Sequence, residues 1–219
     1  GSSTRPFVPD FTTAKDLYDR YWDAKRRAVA ERTAPQADQW MEVIDSLCEA
    51  MTSTQCLSVP REKLDRIGPD YLEQMTSEGV LIFDEQRYGF GHESFFDYCF
   101  ARAFVAKKHP LVAFLTASEQ HLFRRAQVRQ VLAYLRDADR DRYCTELREL
   151  LSDAQVRVHL KDLATALVVN VSDPGDDEWA VFKPWINSEL AAIAKEERNS
   201  DKFATLVWQH FFASESWFH

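Results

Sequence analysis

Residues 80–104 read Val-Leu-Ile-Phe-Asp-Glu-Gln-Arg-Tyr-Gly-Phe-Gly-His-Glu-Ser-Phe-Phe-Asp-Tyr-Cys-Phe-Ala-Arg-Ala-Phe. Val80–Phe83 is a short apolar run, Asp84-Glu85-Gln86-Arg87 a polar turn, and Tyr88-Gly89-Phe90 a returning strand, a spacing that predicts a β-hairpin. The chain then becomes helical. Phe95, Phe96, Cys99, Phe100, Ala103 and Phe104 recur at i, i+3 and i+4, and this broad aromatic face reads as core. His92 stands at the joint between strand and helix. A histidine at a helix N-terminus lies beside backbone N–H groups with no intrahelical acceptor, where a phosphate can be met. The same stretch also suits an ordinary core helix with a polar cap.

Working upstream, Asp70 followed by Glu73 reads as a capping box opening a short helix to Glu78, and Gly79 as its left-handed stop. Gly68-Pro69 is a tight break, and Ser58 reads as the cap of another short helix running to Ile67. Trp40, Val43, Ile44, Leu47 and Met51 form one stripe of a helix over 36–52. A first helix covers 11–32, with Thr12 and Thr13 as candidate caps and Leu17, Tyr21, Ala24 and Ala28 as its apolar face, widened by Tyr18 and Trp22. Its Lys25-Arg26-Arg27 cluster reads as a solvated, dipole-complementing end. Two short helices, a tight turn and a hairpin make a winged helix-turn-helix.

Downstream of residue 110 only helices are expected, over 111–117, 119–136, 139–152, 154–171, 177–197 and 201–218. Val156, Leu160, Leu163, Leu167 and Val168 form one stripe, and Leu147, Leu150 and Leu151 another. Paired helices with short links read as an irregular, loosely HEAT-like helical-repeat array. The fold class is therefore mainly α, in three segments: 1–35 a helical segment, 36–106 the winged helix, 107–219 the helical-repeat region. Gly1-Ser2-Ser3 reads as an expression remnant, and the aromatic Trp217-Phe218 near the end suggests that the chain cuts into a larger helical region.

Composition narrows the function. The 219-residue chain is 45% hydrophobic and 28% charged, with a net charge of −8, and it can bury a core without metal or disulfide staples. No apolar run approaches the roughly 18 residues of a membrane span, and the polar N-terminus lacks a secretory pattern; the expected location is cytoplasmic. Cys48, Cys56, Cys99 and Cys144 are scattered, which suits reduced packing thiols and argues against zinc. The helix that would enter a DNA groove, Asp70–Glu78, carries three acids and no base, so a phosphate surface would repel it. Arg61, Lys63 and Arg66 precede it, and Arg87 is a single charge in the wing. His109, His121, His159, His210 and His219 are isolated and read as surface or capping residues. No Gly-x-Ser-x-Gly elbow and no Gly-x-x-x-x-Gly-Lys-Ser/Thr loop occurs. Asp176-Asp177-Glu178 opens a helix, where negative charge is favourable, and needs no acid–base role. No catalytic residue and no metal ligand is assigned.

The run Phe90, His92, Ser94, Phe95, Phe96, Asp97, Tyr98 and Ala101 or Ala103 resembles the end of the winged-helix domain of STAND-type NTPases, including the NACHT and NLR proteins. Asp16-Leu17-Tyr18-Asp19-Arg20-Tyr21-Trp22 followed by Lys25-Arg26 looks like the helical lid after their nucleotide-binding core, and Leu72–Phe83, with Ser77-Glu78-Gly79-Val80-Leu81, like the helix-to-wing passage. The resemblance covers roughly residues 11–106. One departure is Phe96-Asp97, where the family often has Gln-Glu.

The resemblance implies a non-catalytic regulatory piece of a larger ATPase switch, whose absent core would carry the Walker motifs and bind ADP or ATP with Mg. It implies that His92 is the cofactor-binding residue, contacting the β-phosphate of ADP and clamping the winged helix in the resting state. The implied partners are the protein's own nucleotide-binding domain and a protein or ligand trigger on the helical region, with neither membrane nor nucleic acid. Bacterial members include antiphage defence proteins, so a defence role follows at family level. The alternative is a winged-helix transcriptional regulator with a helical ligand-binding or dimerisation domain, and a third reading is a helical scaffold with no nucleotide link.

Overall fold

The hairpin and the helix after it lie where the opening stretch places them, and the rest of the molecule is built mainly of helices. The computed structural model describes residues 13–33, 38–117, 119–195 and 201–213. These form α1 (Ala14–Arg32), α2 (Trp40–Thr54), β1 (Ser58–Pro60), a 3-10 turn (Arg61–Leu64), α3 (Pro69–Ser77), β2 (Leu81–Asp84), β3 (Arg87–Phe90) and α4 (Glu93–Ala106). There follow α5 (Leu111–Thr116), α6 (Leu122–Ala138), α7 (Arg140–Ser152), α8 (Val158–Val169), α9 (Asp176–Ala194) and α10 (Lys202–Phe212). The chain divides into two compact units, Gly1–Phe100 and Ala101–His219, the division falling within α4. Gly1-Ser2-Ser3, Thr12, Trp217-Phe218 and His219 lie outside the described residues.

In the first unit α1 opens on a capping box: Thr13 accepts from the Asp16 N–H, and the Asp16 carboxylate accepts from the Thr13 N–H. Its buried face differs from the expected one. Trp22 and Val29 are buried, with Tyr18, Tyr21 and Lys25 beside them, whereas Leu17 is 42% exposed and Ala24 lies in solvent. Lys25 explains the rotation. Its ammonium donates to the Glu78 carbonyl at the end of α3 and covers the Tyr21 ring at 5.7 Å, so the stem lies inward. Arg26 pairs with Asp38, and Arg32 with Glu78. The basic end of α1 is thus a tether between elements rather than a solvated terminus. The α2 stripe of Trp40, Val43, Ile44, Leu47 and Met51 is buried, and Trp40 meets Trp22 edge-on at 5.4 Å.

Two local expectations are corrected. Ser58 does not cap a helix; Ser58–Pro60 is β1, antiparallel to β3 with Val59 opposite Tyr88. The preference lost because Arg87, 29 residues on, donates to both the hydroxyl and the carbonyl of Ser58. Nor does Asp70 cap α3. Pro69 takes the first helical position, where its missing N–H costs nothing, and the Gln39 side chain accepts from the Gly68 N–H at 3.0 Å. Gly79 stops the helix at φ +70°, as expected.

The sheet is three-stranded and antiparallel, in the order β1-β3-β2. The hairpin turn is tighter than the sequence suggests. Only Glu85 and Gln86 lie outside the strands, at φ 47° and 61°, the geometry of a two-residue turn that normally selects Asn-Gly. The Gln86 carbonyl accepts from the Arg61 N–H, which helps to hold that conformation. On α4, Phe95, Phe96, Cys99, Phe100 and Phe104 are buried, with Tyr98 beside them.

In the second unit the helices fall close to their expected spans. α5 packs on α7, α6 on α7 and α8, α9 on α7 and α10, and α10 on α8. Leu147, Leu150 and Leu151 are buried, as are Val156, Leu160, Leu163 and Val168, while Leu167 is only half-buried. No described helix is long and apolar enough to cross a membrane. Cys48, Cys99 and Cys144 are packing thiols, but Cys56, expected to pack, is exposed just after α2. Burial, with a hydrogen bond to Asp177, pushes the Cys144 thiol up to about 11. Iodoacetamide at neutral pH should therefore alkylate Cys56 first and leave Cys144 largely intact; mass spectrometry of a timed quench checks the order, and equal labelling would contradict it.

Candidate functional site

His92 is held by the backbone on both sides. Upstream, the Gly91 N–H donates to the Val80 carbonyl at 2.8 Å, fixing the end of the hairpin to the end of α3. A Cβ at Gly91 would stand 2.2 Å from the Gly79 carbonyl oxygen, so only glycine fits this crossing. Downstream, the His92 carbonyl accepts from the N–H groups of Phe95 and Phe96 and starts α4. Phe95 and Phe96 anchor that turn in the core, and both meet Phe90 at 5.8 Å. The imidazole itself is exposed and hydrogen-bonds to no described residue. A rigid root and a free ring at a helix N-terminus suit the binding of an anion. Glu93, also exposed, adds a negative charge in the same first turn.

The surface that would face a nucleic acid is acidic. Asp70 and Glu73 are exposed on α3. The wing cation, Arg87, is engaged by Ser58 at 2.8 and 2.7 Å. Arg61, Lys63 and Arg66 lie exposed about the 3-10 turn.

A densely bonded polar cluster lies in the second unit, and of it the sequence singles out only the helix-start acids Asp176-Asp177-Glu178. Glu178, at the N-terminus of α9, is 0% exposed. Its carboxylate accepts from Arg136 Nε at 2.8 Å, Arg140 Nη2 at 2.8 Å, the Tyr143 hydroxyl at 2.9 Å and the Gly175 N–H at 3.0 Å. Arg136 also reaches the side chain and carbonyl of Asp173, and Arg140 is bidentate to Asp177. Burial alone would raise the Glu178 pKa, but the donors around it outweigh burial and hold it below the ordinary value. The Asp177 carboxyl lies well below its usual range, chiefly through its bonds to Arg140. Tyr143 is pushed up by burial and by the Glu178 charge. Glu178, Asp177 and Tyr143 are each held in one protonation state near neutrality, so the cluster acts as a fastener rather than an acid–base site. The acids do sit at a helix start as expected, but a favourable dipole is the smaller part of their role.

The remaining histidines divide. His121 stands at the N-cap position of α6 without a side-chain capping bond and pairs with Glu119, His210 pairs with Asp162 at 2.8 Å, and His109 is exposed. His159 departs from the surface expectation: it is half-buried, and its Nε2 is buried with no partner among the described residues. Among the described residues no group of three or more His, Cys, Asp or Glu is placed to hold a metal ion.

Compared with models of protein families, with curated proteins and with solved structures, the chain matches none. The resemblance to STAND-type NTPases accordingly rests on the sequence motifs alone.

Proposed function

We propose that this chain is a non-catalytic regulatory region of a STAND/NACHT-type ATPase switch. Residues 1–35 serve as the lid, 36–106 as the winged helix, and 107–219 as the start of a HEAT-like array that senses a protein or ligand trigger. The observation that carries this reading is His92: an exposed imidazole with no hydrogen-bond partner among the described residues, rooted through its backbone at the N-terminus of α4, just after the wing strand. The element order α2, β1, 3-10 turn, α3, β2, β3 and the strand order β1-β3-β2 support a winged helix, with the 3-10 turn in place of the middle helix. The acidic α3 favours a protein partner over DNA, and the stacked helices α5–α10 support an array.

ADP or ATP with Mg would be held by the protein's own nucleotide-binding core, in the cytoplasm, and His92 would donate one hydrogen bond to a phosphate of ADP. A charge-assisted bond of this kind contributes about 1.5–3 kcal/mol. Shifting a two-state equilibrium by that much changes populations roughly ten- to hundredfold. A role in bacterial defence is part of the proposal.

In the full-length ATPase, His92→Ala should release bound ADP roughly ten- to hundredfold faster and raise basal signalling, with unfolding temperature little changed because the residue is exposed. Stopped-flow release of a fluorescent ADP analogue measures it. Unaltered release and unaltered basal activity would sink the role. Salt-sensitive binding of duplex DNA by the wild-type protein would instead favour the transcriptional regulator.

A further inference from the structure

A cleft separates α3 from the β2–β3 hairpin. Glu73, Thr76 and Ser77 form one wall and Phe83 and Tyr88 the other, around a volume of about 360 Å³. Phe83 and Tyr88 are cross-strand partners, and their rings lie 4.5 Å apart at 38°. Three features of this cleft are unspent. Tyr88 lines the cleft, and its hydroxyl, which is not withdrawn from solvent, hydrogen-bonds to no described residue. The Glu73 carboxylate is exposed and has no ion-pair partner among the described residues. Phe83 leaves an apolar ring 39% exposed beside them.

The chemistry points to a cation. Aromatic faces attract a positive group, and a carboxylate at the rim supplies a charge-assisted acceptor. A guanidinium suits this combination better than an ammonium. Its planar face stacks on a ring while its five N–H donors reach a carboxylate and hydroxyls together. The surroundings agree: α3 carries Asp70 and Glu73 and no basic residue, and the whole chain has a net charge of −8. We propose that the cleft between α3 and the hairpin receives an arginine side chain from a basic segment of a partner protein, stacked beside Phe83 and Tyr88 and paired with Glu73. The occupant depends on neither His92 nor a nucleotide, so it can succeed or fail independently of the switch.

The whole chain would be titrated with an acetylated, amidated tri-arginine peptide and with its tri-lysine counterpart, reading the ring resonances of Phe83 and Tyr88 by NMR. The expected result is a saturable shift confined to those rings and to α3, with arginine binding at least threefold more tightly than lysine. Glu73→Gln keeps the shape, breaks no side-chain bond to a described residue, and should weaken binding by about tenfold, the loss of one charge-assisted contact. Tyr88→Phe should weaken it severalfold, whereas Asp141→Asn, exposed on α7, should leave it unchanged. Equal affinity in Glu73→Gln, equal binding of the two peptides with shifts scattered over the surface, or the same resonances moving with duplex DNA would each overturn the proposal.

Discussion

Glu178→Ala should destabilise the unit formed by residues 101–219 by about 3–5 kcal/mol, the usual cost of removing one partner from a buried ion pair. The carboxylate is fully buried, and its loss strands several groups at once. Arg136, 16% exposed, loses its two bonds to Glu178, at 2.8 and 3.2 Å, and keeps those to the side chain and carbonyl of Asp173. Arg140 retains Asp177, while the buried Tyr143 hydroxyl and the Gly175 N–H lose their acceptor. Glu178→Gln should cost less, since an amide oxygen can still accept from Tyr143 or Gly175, but it places an N–H₂ group against two guanidinium ions. Urea unfolding followed by circular dichroism measures both variants. A Glu178→Ala protein within about 1 kcal/mol of wild type would show that the cluster contributes little.

The same carboxylate sets an acid limit. Its folded pKa is lowered, so its contribution is complete above the unfolded value, about 4.3, and is lost as pH falls through the folded value. Asp177 acts in the same direction. Stability of this unit should therefore be flat near neutrality and fall below about pH 4, more steeply in wild type than in Glu178→Gln.

That cluster also marks where sequence reasoning stopped. The α5–α10 spans were legible because apolar periodicity and Pro, Gly and Asp breaks are local signals. Glu178 was legible only as a helix-start acid. Its side-chain partners lie 35 and more residues away on α6 and α7, and nothing in the local pattern joins them. Arg136 and Arg140, one turn apart and opposite a run of three acids, were the available hint. β1 was missed for a similar reason: three residues carry too little pattern, and Ser58 offers a good capping side chain until Arg87 claims it. The face of α1 was misjudged because Lys25 was counted as polar, although its stem lies inward on the way to the Glu78 carbonyl. Tyr88 and Glu73 fall on a strand and a helix, and only the folded hairpin brings them to one cleft. His92 was legible as the strand-to-helix joint; that its ring stands free is a matter of tertiary placement.

Gly91→Val should cost about 3 kcal/mol or more and disturb His92 in the same step. Overpacking typically costs about 1–3 kcal/mol where side chains can yield, but here the obstacle is the backbone. The new Cβ would lie 2.2 Å from the Gly79 oxygen and 3.2 Å from its carbonyl carbon. Gly79 cannot move aside easily, because it ends α3 at φ +70° and its own N–H donates to the Thr76 carbonyl. Relief must come from breaking the Gly91–Val80 hydrogen bond, which parts the hairpin from the end of α3 and swings the first turn of α4. Gly79→Ala makes the useful contrast: open space surrounds its Cβ, so it should pay only the left-handed backbone cost, about 1 kcal/mol. If His92 works from a fixed position, Gly91→Val should speed ADP release in the full-length protein as much as His92→Ala does, and the double variant should release no faster than either alone. Gly79→Ala should leave release unchanged. Additive effects of Gly91→Val and His92→Ala would show that the joint acts on the nucleotide through something other than this imidazole.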